Sequence, residues 1–457
     1  MVLPPEFVKS LGPILPGNEI TALTDAIENT RPVTSVRFNP YKIHERPTGR
    51  QVPWNRYGFL LDERPSFTLD PAYHAGVYYV QEASSMFVEH IYRSAVGEKE
   101  GIRLLDLCAA PGGKSTLYST VVGLGGLVVA NEVIRPRAMT LADNIQRWGL
   151  GNVVVTNNDP SHFAGFRNWF DVVAVDAPCS GEGMFRKDPK AIEEWSPESA
   201  AMCAARQRLI LSDIWDTLKP GGILIYSTCT YNTQENEDNI SWLCRQYECE
   251  SIDMEVPSEW GIVTGTVANG SSGDIKTFRF YPHMLEGEGF FAAVVRKGGN
   301  SERSLAPKPR RTIFTNIPKN AGKEVARLVK QPEYMRFAEV AGNVYAYYET
   351  TFPDVKTVAE SMSTVTSGIM MGQLFSGKLK PAHPLALFHD INTEAIPQAS
   401  LTLDCALDYL RKQNIDASYF SDGMNLVLFG NFPLGWAKRI GNRVNNLYPK
   451  ELRIMNL

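Results

Sequence analysis

Two cysteines follow two separate apolar runs, and each stands where a thiol could act as a nucleophile. Cys179 comes three residues after the run Val173–Asp176, and Cys229 comes two residues after the run Ile223–Ser227. Because adjacent parallel strands deliver their carboxyl ends to one crevice, we expect both thiols and the Asp176 carboxyl to be neighbours. A lone cysteine after a strand is more often a small buried apolar residue, but two at matching strand ends beside an acid favour chemistry.

A turn of small residues follows another apolar run, Ile102–Cys108, and opens a helix expected over Lys114–Val122. The turn reads Cys108-Ala109-Ala110-Pro111-Gly112-Gly113. Such a turn lets a ligand approach the backbone, and free N–H groups at a helix start favour a carboxylate or phosphate. The next apolar run ends in Glu132, where an acid can hold both hydroxyls of a ribose. These residues indicate a nucleoside-type cofactor, although a tight turn and a surface acid would explain them equally well.

The turn differs from two common nucleotide-binding patterns. A P-loop would need glycine at position 108, which is Cys108, and G-x-G-x-x-G is also absent. A nicotinamide dehydrogenase is therefore disfavoured.

Alternating apolar runs and helical segments predict the α/β class, with a doubly wound, Rossmann-like parallel sheet. The expected strands are 102–108, 127–132, 153–157, 171–176 and 223–227, and the expected helices between them are 114–122, 135–148 and 197–218. A further strand over 289–295 follows a turn and could be antiparallel.

The length of 457 residues predicts two or three domains. We expect a small α+β module over 1–95, the catalytic domain over 96–300 and a third unit over 301–457, which follows a linker rich in glycine and proline. The hydrophobic fraction of 44% and the charged fraction of 21% exclude a disordered or fibrous protein. A net charge of -4 argues against a nucleic-acid binder that works by bulk charge, but residues 301–457 carry 19 Lys and Arg against 14 Asp and Glu.

The chain begins without a secretory signal and contains no apolar run of membrane-spanning length. Its seven cysteines are odd in number and include no C-x-x-C pair, which argues against a disulfide framework and a zinc knuckle. The histidines are dispersed and lack a metal-ligand spacing. We therefore expect a cytoplasmic protein with reduced thiols, no metal and no membrane contact, acting as a monomer.

The motifs resemble the signature blocks of the NOL1/NOP2/Sun family of RNA cytosine-5 methyltransferases. The similar blocks are 106–115, 176–181, 227–230, 76–85, Arg279 with Pro282-His283, and 289–291. The resemblance covers most of residues 50–298, and the paired Pro-Cys and Thr-Cys blocks are its most specific part. Less specifically, the C-terminal third of the chain, with its motif at 435–443, looks like the PUA-like RNA-binding tail of the bacterial members of the family that act on 16S ribosomal RNA. The first residues of the chain would then be the RRM-like N-terminal module of those members.

The resemblance implies S-adenosylmethionine as the cofactor and gives each site residue a role. It implies that Cys229 adds to C6 of cytosine and that Cys179 helps to eliminate the adduct, whereas DNA cytosine-5 methyltransferases attack with the Pro-Cys cysteine. The residues alone do not rank the two thiols. Asp176 would border the base pocket and the cofactor, although a turn cap at the strand end is an alternative. The implied cofactor-binding residues are Cys108, Ala109, Ala110, Pro111, Gly112, Gly113, Lys114, Glu132, Asp159 (or Asn158) and Asp176.

The expected activity is methylation of C5 of cytosine in RNA. The expected substrate is 16S ribosomal RNA or the small ribosomal subunit. A tRNA or other RNA substrate, and a catalytically idle RNA-binding or assembly factor, remain alternatives. Basic residues near the C-terminus, Lys438, Arg439, Arg443, Lys450 and Arg453, lie close in sequence to Trp436 and Tyr448. This mixture suits phosphate contact with base stacking, or a merely solvated face. Glu235, Glu237 and Asp238 are expected only to offset a helix dipole.

Overall fold

The computed structural model describes residues 2–43, 45, 47–270, 273–300 and 303–455. Its N-terminal portion is a small α+β module. The elements there are α1 (Pro5–Ser10), α2 (Gly17–Asn29), β1 (Thr34–Phe38), β2 (Gly58–Leu61), α3 (Pro71–His74), β3 (Tyr78–Val80) and α4 (Val88–Ala95). The three strands form an antiparallel sheet in the order β2-β1-β3.

The middle portion supplies most of a ten-stranded mixed sheet. Its first elements are β4 (Arg103–Asp106), α5 (Gly113–Val122), β5 (Leu127–Asn131), α6 (Arg135–Trp148), β6 (Val153–Thr156) and β7 (Phe170–Asp176). They are followed by α7 (Pro189–Glu194), α8 (Pro197–Trp215), β8 (Leu218–Thr228), α9 (Glu237–Gln246), β9 (Cys249–Glu250), β10 (Val263–Val267), β11 (Ile275–Phe280) and β12 (Phe290–Lys297).

The strand order confirms the predicted doubly wound sheet. Strands β8-β7-β4-β5-β6 are neighbours in that order and run parallel. Strand β12 pairs antiparallel with β8 and is followed by β11 and β10, so the antiparallel expectation for 289–295 is confirmed. The chain reverses its winding at β4, which lies between β5 and β7. A crevice at the carboxyl ends of these strands is where such sheets bind ligands.

Both faces of the sheet are covered, which is why its strands are apolar without alternation. On one face, α4, α5 and α6 pack through side chains such as Ile91, Leu117 and Leu141. On the other face, Leu211 of α8 and Ile240 of α9 pack against the strands. Full burial of each such side chain stabilises the fold by about 1.5–3 kcal/mol.

The C-terminal portion contains two further sheets. Its elements are β13 (Thr315–Asn316), α10 (Lys319–Ala326), β14 (Met335–Val340), β15 (Asn343–Tyr348), α11 (Phe352–Ser361), β16 (Thr364–Ser367), β17 (Ile369–Phe375) and β18 (Lys378–Pro381). They continue with α12 (His383–Ala386), β19 (Gln398–Leu401), α13 (Leu403–Leu410), β20 (Gly423–Phe429), β21 (Phe432–Ile440) and β22 (Arg443–Asn446). The sheet orders are β13-β14-β15-β17-β18 and β19-β20-β21-β22.

One strand of the C-terminal portion joins the ten-stranded sheet and not the sheets of its own portion. Strand β16 pairs antiparallel with β6 and covers that edge, with Thr364 opposite Thr156 and Ser367 opposite Val154. Covering the edge strand protects it from pairing with other chains. The C-terminal portion therefore contributes one strand to the ten-stranded sheet.

The two C-terminal aromatic residues expected to stack on bases are core residues, so that expectation is wrong. Trp436 is 3% exposed, and its indole N–H donates to the Ala382 carbonyl at 2.8 Å. Tyr448 is 2% exposed and packs edge-on against Tyr409. Their neighbours in sequence, Lys438, Arg443 and Lys450, are exposed, so the basic side chains face solvent and the two rings do not.

None of the helices among the described residues is both long enough and apolar enough to cross a membrane.

Candidate active site

The predicted cofactor turn joins β4 to α5 at the carboxyl edge of the sheet. Gly112 caps α5 with a φ of 114°, a left-handed conformation in which a side chain is strained. A Cβ at this position would also lie 3.2 Å from Leu141 Cδ1. Because α5 begins at Gly113, the N–H groups of its first turn have no partner within the helix and are available to a ligand.

A buried arginine from the N-terminal module holds this turn. Arg37 lies on β1 and is 2% exposed. Its guanidinium donates to Thr116 Oγ1 at 2.6 Å, to the Gly113 carbonyl at 3.2 Å and to Gln81 Oε1 at 2.8 Å. It also lies 4.5 Å from the centre of the Trp148 ring. The N-terminal module thus fixes the start of the helix that would face the cofactor.

Asp106, the last residue of β4, is a site residue that the motif analysis left without a role. Its Oδ2 accepts from Ser115 Oγ at 2.6 Å, while its buried Oδ1 has no hydrogen-bond partner within the described part of the chain. Burial raises the pKa of Asp106 to about 7, and the charges of Asp176 and Glu132 add to the shift. The signal in the sequence was an acid closing a buried strand directly before the glycine turn.

Glu132 and Asp159 follow the next two strands, as predicted. Glu132 Oε1 accepts from the Ile134 N–H at 3.0 Å, and Oε2 lies 3.4 Å from Arg137 Nη1. The side chain of Asn157 donates to the carbonyl of Glu132 at 2.7 Å and ties the two strand ends together.

The two alternatives for the third strand end differ in their contacts. Asn158 is buried, and its amide exchanges hydrogen bonds with the backbone of Ser363 at 3.1 Å in both directions. Asp159 is exposed, and its carboxylate accepts from the N–H of Ser161 at 3.0 Å. Since the side chain of Asn158 is engaged in holding β16, Asp159 stays the prediction.

Asp176 closes β7 and forms an ion pair inside the crevice. Its Oδ2 lies 2.8 Å from Lys114 Nζ, and its Oδ1 accepts from Ser227 Oγ at 2.8 Å. Burial alone would lower the pKa of Lys114, but the Asp176 carboxylate raises it above the usual value. The ammonium also lies 5.3 Å from the centre of the Phe290 ring. Lys114 therefore links the cofactor turn to the strand end that carries Asp176.

The two cysteines meet as the sequence predicts. The Sγ atoms of Cys179 and Cys229 are 3.1 Å apart, and the Cys229 N–H donates to Cys179 Sγ at 3.3 Å. The hydrogen bond to Cys229 and burial both raise the pKa of the Cys179 thiol. Cys179 therefore ionises less readily than a free thiol.

Cys108 is unsuited to the same chemistry. Burial raises the pKa of its thiol, and the neighbouring carboxylate of Asp106 raises it further. A protonated, buried thiol is a poor nucleophile.

The expectation that Glu235 only offsets a helix dipole is wrong. Glu235 is fully buried and accepts from the N–H of Ser180 at 3.0 Å and from the side chain of Gln207 at 2.7 Å. Glu237 forms a two-pronged ion pair with Arg279 across to β11. Both acids therefore make tertiary contacts, which short sequence spacing does not reveal.

Three family models match the chain. The first, described as 16S rRNA methyltransferase RsmB/F, matches residues 95–296. The second, the N-terminal domain of 16S rRNA methyltransferase RsmF, matches residues 3–83, and the third, the methyltransferase RsmF PUA domain, matches residues 398–454.

Curated relatives match over nearly their whole length. A protein named ribosomal RNA small subunit methyltransferase F from Enterobacter sp. (strain 638) is 33% identical over 91% of this chain and 85% of the relative. One of the same name from Klebsiella pneumoniae (strain 342) is 30% identical over 92% and 90%. One from Pectobacterium carotovorum is 31% identical over 98% and 96%.

Solved structures share the fold. A methyltransferase homologue from Pyrococcus horikoshii is 27% identical, with a TM-score of 0.50, over 65% of this chain and 100% of that one. NSun6 from the same organism, solved with SFG, is 20% identical with a TM-score of 0.54 over 65% and 99%.

Proposed function

The chain belongs to the 16S rRNA methyltransferase RsmB/F family, and from this premise we propose that it methylates C5 of a cytosine in 16S ribosomal RNA through a covalent adduct on Cys229. The observation that carries the mechanism is the pair of thiols 3.1 Å apart at the ends of β7 and β8. C5 of cytosine is a weak nucleophile, and addition of a thiolate at C6 makes it enamine-like. Such chemistry needs a cysteine beside the cofactor.

The residues at the crevice fit S-adenosylmethionine, which supplies the methyl group when bound. The unpartnered Oδ1 of Asp106 suits a donor such as the ammonium of the methionine moiety. The turn from Cys108 to Lys114 would hold the methionine part, Glu132 the ribose hydroxyls and Asp159 the adenine amine.

Cys229 is the thiol better placed to attack. Burial and the hydrogen bond to Cys229 raise the pKa of the Cys179 thiol, which makes Cys179 a poor attacking group. The Cys229 sulfur forms a bond to C6, and the π electrons of the C5–C6 double bond shift to C5. C5 then forms a bond to the methyl carbon.

Asp176 and Lys114 would orient the cytosine ring and stabilise its charge during this step. An ion-paired carboxylate accepts hydrogen bonds, so Asp176 would accept from the exocyclic amine of cytosine. The ammonium of Lys114 supplies the positive charge that offsets charge developing on the ring. Donation to N3 by Asp176 would need the protonated acid.

Cys179 would then act on the methylated adduct. A base removes the remaining proton from C5, the C5–C6 double bond re-forms, and the bond between C6 and Cys229 Sγ breaks. Cys179 is the thiol beside this bond, and once its own proton has passed to solvent its thiolate can accept the proton from C5. Since the target base must leave the stack to expose C5 and C6, the exposed basic residues of the C-terminal portion would bind flanking phosphates.

The substrate is tested by transfer of a labelled methyl group from S-adenosylmethionine to naked 16S rRNA, to assembled small subunits and to tRNA. Bisulfite sequencing of each RNA then locates 5-methylcytosine. The proposal expects one or a few cytosines in 16S rRNA or the small subunit, which would place the enzyme in the bacterial cytoplasm. Modification of tRNA alone, or of none of the three, would overturn the substrate assignment.

A further inference from the structure

Glu235 is a buried carboxylate whose hydrogen bonds converge on the loop that carries Cys179. Its oxygens accept from Ser180 N–H at 3.0 Å, Ser180 Oγ at 2.5 Å, Gln207 Nε2 at 2.7 Å and Asn232 Nδ2 at 2.7 Å. All four contacts come from donors, which is the pattern that compensates a charged carboxylate for lost water. Ser180 is the residue directly after Cys179.

Gln207 holds the other side of the same cysteine. Its Nε2 donates to the carbonyl of Pro178 at 3.0 Å as well as to Glu235. Its Oε1 lies 3.0 Å from Tyr226 Oη, on the strand that leads to Cys229. The residues immediately before and after Cys179 are therefore both held by one Gln207–Glu235 pair.

The same pair is anchored to the strand end that presents Cys229. Tyr226 Oη donates to the carbonyl of Glu235 at 2.6 Å, and Glu235 lies six positions after Cys229 in the chain. The carboxylate thus spans from the β8 end to the Cys179 loop. Cys229 itself depends less on this contact, because β8 is held by β7 and β12 on its two sides.

We propose that Glu235 is a positioning residue that fixes the Cys179 thiol beside the Cys229 adduct and so controls adduct release. The inference rests on the proposed function, in which Cys179 acts after methyl transfer. A glutamine at position 235 keeps the shape but presents an amide N–H₂ to groups that are all donors. The Cys179 loop should then shift, and release should slow more than attack.

The direct test is Glu235→Gln, mixed with unmodified substrate RNA and S-adenosylmethionine and analysed on a denaturing gel. We expect a denaturation-resistant RNA–protein adduct that wild type does not accumulate, with first-turnover methylation retained. Hydrogen bonds to charged groups are stronger than those between neutral groups, so multiple turnover should fall by about tenfold or more. A variant that is merely unfolded would form less adduct, not more.

Two further variants make the result decisive. Ser180→Ala removes one donor with little change in packing and should accumulate adduct to a smaller extent. Glu360→Gln is the matched control: Glu360 is also a buried carboxylate, but it pairs with Lys356 in the C-terminal portion. It should release product as wild type does.

The outcomes separate this inference from the proposed function. Normal release by both Glu235→Gln and Ser180→Ala would overturn the positioning role. So would a parallel loss of adduct formation and methylation in a folded Glu235→Gln, because that result indicates general support of the site. Failure of wild type to form an adduct with RNA containing 5-fluorocytosine would instead overturn the proposed function itself.

Discussion

Asp106 provides a prediction whose sign and size follow from its surroundings. Its carboxyl has a pKa of about 7 in the fold, against 3.8 for an unperturbed aspartate, because it is buried with one oxygen unpartnered. At 1.36 kcal/mol per pH unit this difference corresponds to about 4 kcal/mol. Since the folded state binds the proton more tightly, the contribution of Asp106 to stability is greatest below pH 3.8 and is lost as the pH rises to about 7.

Binding of the cofactor should offset the free-energy cost of ionising Asp106 in the fold. If the ammonium of S-adenosylmethionine binds Asp106 Oδ1, it selects the ionised carboxylate. Cofactor affinity should then rise by about tenfold per pH unit up to about pH 7 and level off there. Asp106→Asn cannot ionise, so it should bind weakly without that slope, and its apo form should gain stability relative to wild type between pH 4 and 7.

The assays are urea unfolding of the apo forms and calorimetric titration with S-adenosylmethionine, each from pH 5 to 8. The difference in unfolding free energy between wild type and Asp106→Asn cancels the titration of other groups. The variant keeps the Ser115 contact through its remaining oxygen. Parallel pH profiles for the two proteins, in both assays, would refute the reasoning.

Three other changes test separate parts of the structure. Arg37→Met leaves Thr116 and Gln81 without their buried partner and should weaken S-adenosylmethionine binding by about tenfold in calorimetry, whereas unchanged affinity would contradict a support role for β1. Lys114→Met removes the partner of Asp176 and should lower kcat more than it changes the RNA KM in steady-state kinetics. An effect confined to KM would contradict a role for Lys114 in the methyl-transfer step. Phe7→Ala opens a cavity against Phe185 and should cost about 3–5 kcal/mol of unfolding free energy in urea, and a loss below 1 kcal/mol would show that α1 is not packed there.

The sheet and the glycine turn could be predicted because their signals are local. Apolar runs such as 153–156 are buried on every residue, and a left-handed glycine precedes the helix at Gly113. The meeting of Cys179 and Cys229 followed from topology alone, because parallel strands share one carboxyl edge.

The remaining features depend on contacts between distant segments. Glu235 resembles a helix-start acid in sequence, but its partner Ser180 lies 55 residues away. Trp436 stands beside basic residues and is nevertheless buried, since its ring faces the C-terminal core while Lys438 faces solvent. Strand β16 contains two threonines and a serine among its four residues and pairs with β6 through its backbone. It therefore lacks the apolar run by which the other strands of the sheet were predicted.

The division of labour between the two cysteines is the central claim, and covalent trapping tests it most directly. RNA carrying 5-fluorocytosine at the target should form an adduct with wild type that survives denaturation, because fluorine at C5 blocks elimination. Cys229→Ala should form none, while Cys179→Ala should form it and should also accumulate adduct with unmodified RNA. An adduct that persists in Cys229→Ala, or rapid normal turnover by Cys179→Ala, would contradict the account.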